Sequence, residues 1–204
     1  MRKRAFTALA ITATAVTAVT AASATVGAVA VASAQTGPSF GYHKVRAGVP
    51  EQAGHFRVTS PDLARGTFPA ASYANAFGCT GGNVPPRLSW SGAPAGTRSF
   101  AVTMFDRDAP TGSGFWHWSV RDLPATAASV PANAAAGVND AGTTGYVGPC
   151  PPAGDRPHHY EITVLALDVA DAGVPAGAGP AMASFAMGSH VIATARITAT
   201  AAVS

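Results

Sequence analysis

Two stretches concentrate the side chains able to do chemistry: FDRDAPTGSGFWHW, Phe105 to Trp118, and GYVGPCPPAGDRPHHY, Gly145 to Tyr160. They hold His117, His158 and His159 of the six histidines, the Asp106/Asp108 pair, Cys150 and Tyr160. Dense Gly and Pro surround these groups. A carboxylate, two imidazoles, a phenol and loop N–H groups make a site rich in hydrogen-bond donors. Such a site suits a phosphate, carboxylate or sulfate, because imidazolium and N–H groups stabilise negative charge. Asp106 would not face that anion as a bare charge. Its task is to orient and charge a histidine, or to share a proton with the ligand.

Plainer readings stand beside these. Asp108, followed by Ala109-Pro110, also fits a turn-starting residue. His159 alternates outward from His158 and reads as a surface residue. His190 reads as a helix residue packing its ring, and Trp116 and Trp118 read as core. A two-histidine, one-carboxylate metal site from Asp106, His117 and His158 is a further alternative. Catalysis is not expected. No nucleophile elbow is present, Ser113 sits in a Gly-rich turn, and a disulfide would silence Cys150.

The elements that must position these groups are short alternating runs between strong breakers. His55 to Thr59 alternates around Phe56 and Val58. Arg98 to Asp106 puts Phe100, Val102 and Met104 on one face and ends at the Asp106/Asp108 pair. Trp116 to Asp122 puts Trp116, Trp118 and Val120 on one face, with His117, Ser119 and Arg121 on the other. Tyr160 to Asp168 is apolar on both faces toward its end, as a central strand should be. Ala125 to Gly142, with Pro131, reads as a long loop. A helix is expected over Ala181 to Ile192, led by Pro180, then a strand over Ala195 to Ala201. Many strands and one helix predict an all-β sandwich.

Composition narrows the function. Arg2, Lys3 and Arg4 precede an uncharged Ala/Thr/Val run, and Ala32-Ser33-Ala34 supplies a cleavage pattern. Residues 1–34 therefore read as a signal peptide, 35–54 as a loosely held lead-in and 55–204 as the folded domain. The leader carries three of the 13 Lys+Arg, so the remainder balances its 10 acidic residues. That remainder has one lysine, Lys44, and no basic stripe, which argues against nucleic-acid binding. In an exported chain the pair Cys79 and Cys150 is most simply one disulfide, stabilising by roughly 4 kcal/mol.

The two stretches resemble the signatures of the phosphatidylethanolamine-binding protein family, in its bacterial Raf-kinase-inhibitor-like branch. The first is Asp106-Arg107-Asp108-Ala109-Pro110 with His117-Trp118. The second is Gly145 to Gly154 with His158 to Tyr160. FGCTGGNVPPRLSW (Phe77 to Trp90) and MGSHVIA (Met187 to Ala193) support the match. The resemblance implies a two-sheet antiparallel β-sandwich with a short C-terminal helix and a small anion pocket at one end. Asp106, His117, His158 and Tyr160 would line that pocket, with a backbone N–H near Cys150, the ring of Pro152, and Asp108 beside them. It also implies a cis Ala109–Pro110 bond. Arg107 stands where the family usually has Pro, which would place a cation at the pocket rim, and the closing Tyr often seen in the family is missing. The expected ligand is a phosphate-like anion, a phospholipid headgroup among the candidates, with no cofactor and no metal. The chain would be a monomer or homodimer. The alternative function is inhibition or regulation of a protein partner such as a secreted hydrolase.

Overall fold

The computed structural model describes residues 49–203; the expected leader lies outside them. Seven strands and one α-helix form in chain order: β1 (Gly54–His55), β2 (Arg57–Thr59), β3 (Ser89–Ser91), β4 (Ser99–Asp106), β5 (Phe115–Pro124), β6 (His158–Leu167), α1 (Pro180–Gly188) and β7 (Val191–Ala201). A five-stranded sheet has the order β1-β7-β6-β4-β5, and β2-β3 form a second, two-stranded sheet. Every pairing is antiparallel except β1 on β7. The expected two-sheet, strand-dominated fold is present.

β6 and β4 fill the centre of the large sheet, and their composition explains it. Phe100, Val102 and Met104 on β4, with Tyr160, Ile162 and Val164 on β6, face the main core. The β2-β3 sheet closes that core with Val58 and Trp90. On the other face Ala101, Leu165 and Leu167 pack against Ala183 and Met187 of α1. Both faces of β6 are covered, hence its unbroken apolar run. Val49 and Ala53, from the end of the expected lead-in, pack onto this second cluster.

Strand β5 departs from simple alternation. Met104 pairs with Trp118, but the next residue, Phe105, pairs with Trp116, so β5 carries one extra residue at His117. A β-bulge of this kind turns every side chain beyond it to the opposite face. Trp116 therefore lies on the outer face against Phe105, ring centroids 4.6 Å apart. Trp118 faces the core, and His117 turns inward to Tyr160 at 5.1 Å. The expected grouping of both tryptophans on one face opposite His117 is thus corrected.

Other boundaries shift for local reasons. The helix is Pro180–Gly188, not Ala181 to Ile192, because Val191 already pairs with Leu167. His190 lies beyond the helix, where its ring meets Asp168 at 3.1 Å instead of packing inward. β7 starts at Val191, four residues before the expected strand, and β3 was not foreseen. The described residues contain no cis peptide bond, so Ala109–Pro110 is trans. The chain instead reverses through a three-residue turn, Thr111 N–H donating to the Ala109 carbonyl at 2.8 Å.

Candidate functional site

At one end of the large sheet a cavity of about 180 Å³ opens between the ends of β4, β5 and β6. Asp106, His117, His158 and Tyr160 line it together with Cys150 and Pro152. Phe77, Pro110 and Phe115 form apolar walls. Six of the seven expected ligand-side residues thus meet here.

The polar groups are locked by their neighbours. Asp106 ends β4 and is 2% exposed. One carboxylate oxygen accepts the Asp108 N–H at 2.9 Å. The other accepts His158 Nδ1–H at 2.8 Å. His158 Nε2 meets the Asp155 carboxylate at 3.2 Å. Burial works against charge on His158, but the hydrogen bonds and charges of Asp106 and Asp155 outweigh it and hold its pKa above the ordinary value.

His117 has the opposite balance. Burial pushes its pKa down, and the Val147 carbonyl and Asp106 only partly oppose this. Val147 holds it twice: its N–H bonds the His117 carbonyl at 3.0 Å, and its carbonyl meets Nδ1 at 2.9 Å. A carbonyl can only accept, so Nδ1 carries the proton. Nε2 is then the acceptor nitrogen while the ring is neutral, and the Gly148 backbone also lies close to the ring. Tyr160 completes the set. Its hydroxyl is buried and makes no hydrogen bond of good geometry, but the Asp106 carboxylate is close enough to hold its proton. Burial and the nearby Asp106 raise its pKa, so it remains a neutral donor.

The wall that carries Cys150 is built by long-range contacts. The Cys79–Cys150 disulfide is formed, its Cα atoms 6.0 Å apart. Asn83, held at φ 52, accepts the Gly148 N–H at 2.8 Å and donates to the Tyr146 carbonyl at 3.1 Å. Gly148 lies so close to Ser72 and Ala74 that a Cβ would overlap their backbone. Asn83, Gly148, Phe77 and Phe115 were not foreseen as site residues. All four lie in stretches that carry the family resemblance, but no local pattern marks them as wall residues.

Asp108 is not part of the lining. Its carboxylate takes the His159 N–H at 2.8 Å, the His159 ring at 2.7 Å and Arg156 at 2.9 Å. It clasps the 150–157 loop to the end of β4, and His159 is part of that clasp as well as half-exposed. Arg107 does not place its charge at the rim. It points to the outer face and pairs with Glu161 at 3.3 Å, because residue 107 follows the outer-facing alternation after Asp106. Among the described residues no group of three His, Cys, Asp or Glu is arranged to hold a metal ion.

The chain is similar to known proteins over most of the described residues. A family model described as Phosphatidylethanolamine-binding protein matches residues 59–202. The UPF0098 protein YbcL of Escherichia coli K12 is 44% identical over 160 residues, covering 72% of this chain and 87% of that protein. The candidate lipoprotein LppC of Mycobacterium tuberculosis H37Rv is 38% identical over 129 residues, 61% of this chain and 63% of that protein. The crystal structure of Escherichia coli YbcL, described as a new member of the mammalian PEBP family, superposes with a TM-score of 0.70 at 40% identity, covering 74% of this chain and all of that one. With its sandwich, its end cavity and a match running through both signature stretches, the chain belongs to the phosphatidylethanolamine-binding protein family.

Proposed function

We propose that this chain is an exported binding protein, not an enzyme, whose end cavity holds a small phosphate-like anion. The observation that carries this reading is the buried Tyr160 hydroxyl, without a hydrogen bond of good geometry, beside Asp106, His117 and His158. A buried hydroxyl without a hydrogen bond costs about 1–3 kcal/mol, so a site that retains one is suited to a ligand that supplies the partner. The disulfide and the similarity to LppC support an extracytoplasmic setting. A free phosphate-like group and a phospholipid headgroup both fit this reading.

Phosphate and phosphoethanolamine should raise the melting temperature of the protein, and His117→Ala should abolish the rise. Absence of any rise with the unaltered protein, across a range of pH, would count against the binding reading.

A second reading, contact with a protein such as a secreted hydrolase, is favoured by Phe77. It is 68% exposed on the cavity wall. Pull-down from culture medium with the unaltered protein and with Phe77→Ser tests it, and recovery of the same proteins by both would count against it.

A further inference from the structure

Helix α1 lies on the outer face of the large sheet, and its composition is unusual for a surface helix. The sequence PAMASFAMG holds no charged residue, and none occurs between Asp171 and His190. One face is the expected one. Pro180, Ala183 and Met187 are buried, the last two against Ala101, Leu165 and Leu167. At 100° per residue, Met182 and Phe185 fall on the opposite side. They are 52% and 80% exposed. A helix that is apolar all round is normally buried all round.

Packing among the described residues does not require those two side chains. Nine residues are fewer than propensity alone sustains as a helix. Gly179 offers no side-chain cap, and neither end carries a charge that would complement the dipole. The buried face therefore holds the helix in place. Polar residues on the outer face would leave that packing intact and be better solvated. An aromatic ring and a thioether there fit a surface that something covers.

The chemistry of the face decides what covers it. A helix lying in a membrane interface sets its apolar face against a basic polar one, but α1 has no basic residue and its other face is already buried in the protein. A charged protein surface would lose hydration against it without gaining a partner. An equally uncharged apolar helix loses nothing, and a second copy of the chain supplies one. Beyond the expected leader the ten basic and ten acidic residues balance, so two copies approach without net repulsion.

Geometry favours the same occupant. In a twofold antiparallel crossing centred between Ala183 and Ser184, residue 185 of one helix faces residue 182 of the other. Each Phe185 ring then meets a Met182 thioether, a sulfur–aromatic contact made twice by symmetry. Ala181 and Ala186 flank the pair, and their small side chains let the axes close to about 8 Å. Such a crossing buries about 300 Å² per copy, well under the roughly 800 Å² of a standard stable interface. The contact is therefore weak and reversible, with a dissociation constant on the order of 100 μM or more.

We propose that the exposed face of α1 is a self-association surface on which two copies of this chain pair helix to helix. No α1 residue lines the cavity, so both cavities of the pair remain open. Copies gathered on a ligand-bearing surface then hold one another there, although a single pair in solution is weak.

Sedimentation of the purified protein from about 10 μM to about 1 mM tests this. The average mass should rise from that of one chain toward that of two. Phe185→Glu sets two carboxylates into the apolar contact and should weaken association at least tenfold, leaving one chain throughout the range. Met182→Glu should do the same. Both side chains are exposed in the single chain, so both variants should melt like the unaltered protein. Val84→Glu alters an exposed apolar residue outside the helix and should leave association unchanged. A single-chain mass for the unaltered protein at every concentration would overturn the proposal. Association that persists in Phe185→Glu, or that Val84→Glu abolishes, would overturn it by placing the contact on another face. Capture on phosphatidylcholine vesicles, lost in Phe185→Glu and unaccompanied by self-association, would overturn it by giving the face to a lipid surface.

Discussion

Asp106 and His158 form an ion pair inside the sandwich, Oδ2 to Nδ1 at 2.8 Å, with side chains only 3% and 1% exposed. The pair joins the last residue of β4 to the first of β6, directly opposite the Tyr160 register position. It fixes the sheet end and the cavity floor with one contact.

Removing one partner should therefore be costly. Asp106→Asn leaves the buried imidazole only the more exposed Asp155 carboxylate and should lower stability by about 3 kcal/mol, the low end of the range for breaking a buried pair. Chemical denaturation of the purified variant measures this. A loss below about 1 kcal/mol would mean that the pair is solvated in practice.

The two cavity histidines should give stability opposite pH dependences. His158 has a raised folded pKa, so its contribution is full below the unfolded value near 6.5 and is lost as pH rises through the folded value. His117 has a lowered folded pKa, so the unfolded chain binds more protons and stability falls as pH drops below about 6.5. Melting temperature against pH should pass through a maximum. His117→Gln should flatten the acid limb and His158→Gln the alkaline limb.

Tyr160→Phe removes a hydroxyl that makes no hydrogen bond of good geometry. The apo protein should lose little stability, or gain up to about 1 kcal/mol, while affinity for phosphate should fall about tenfold. Parallel denaturation and titration separate the two effects, and a large loss of stability would show that the hydroxyl is already satisfied without ligand.

Reduction of the disulfide with a dithiol, or Cys79→Ser with Cys150→Ser, opens a loop with a sequence separation of 71 residues. The chain-entropy estimate for such a loop is about 4 kcal/mol of stability. Because Phe77 and Cys150 both line the cavity, ligand affinity should fall with it. Unchanged affinity in a variant that remains folded would show that the other contacts suffice to hold the wall.

The sequence made the central strands plain because β4 and β6 obey simple periodicity, Phe100-Val102-Met104 and Tyr160-Ile162-Val164 falling on one face. It also brought Asp106, His158 and Tyr160 to one place, since strand ends that neighbour in the sheet bring their terminal residues together. The bulge was not legible. No residue type at Trp116 or His117 announces a skipped pairing, and strict alternation placed both on the wrong faces. The role of Asp108 depended on Arg156 and His159, 48 and 51 residues away along the chain, and local pattern does not reach that far. β3, three residues long, is defined by its pairing with β2 and by contacts with residues 128–129, not by a periodicity of its own.

The extra residue in β5 has an evolutionary consequence. Deleting His117 would remove the register shift between Met104 and Phe105 and let the pairing run one-to-one from Val102 to Asp106. The product would be a sheet with one irregularity fewer and no imidazole in the cavity wall. The strand pairing and the presence of that imidazole are thus separable by a single codon. A lineage could gain or lose that imidazole by one insertion or deletion, without redesigning the scaffold that presents it.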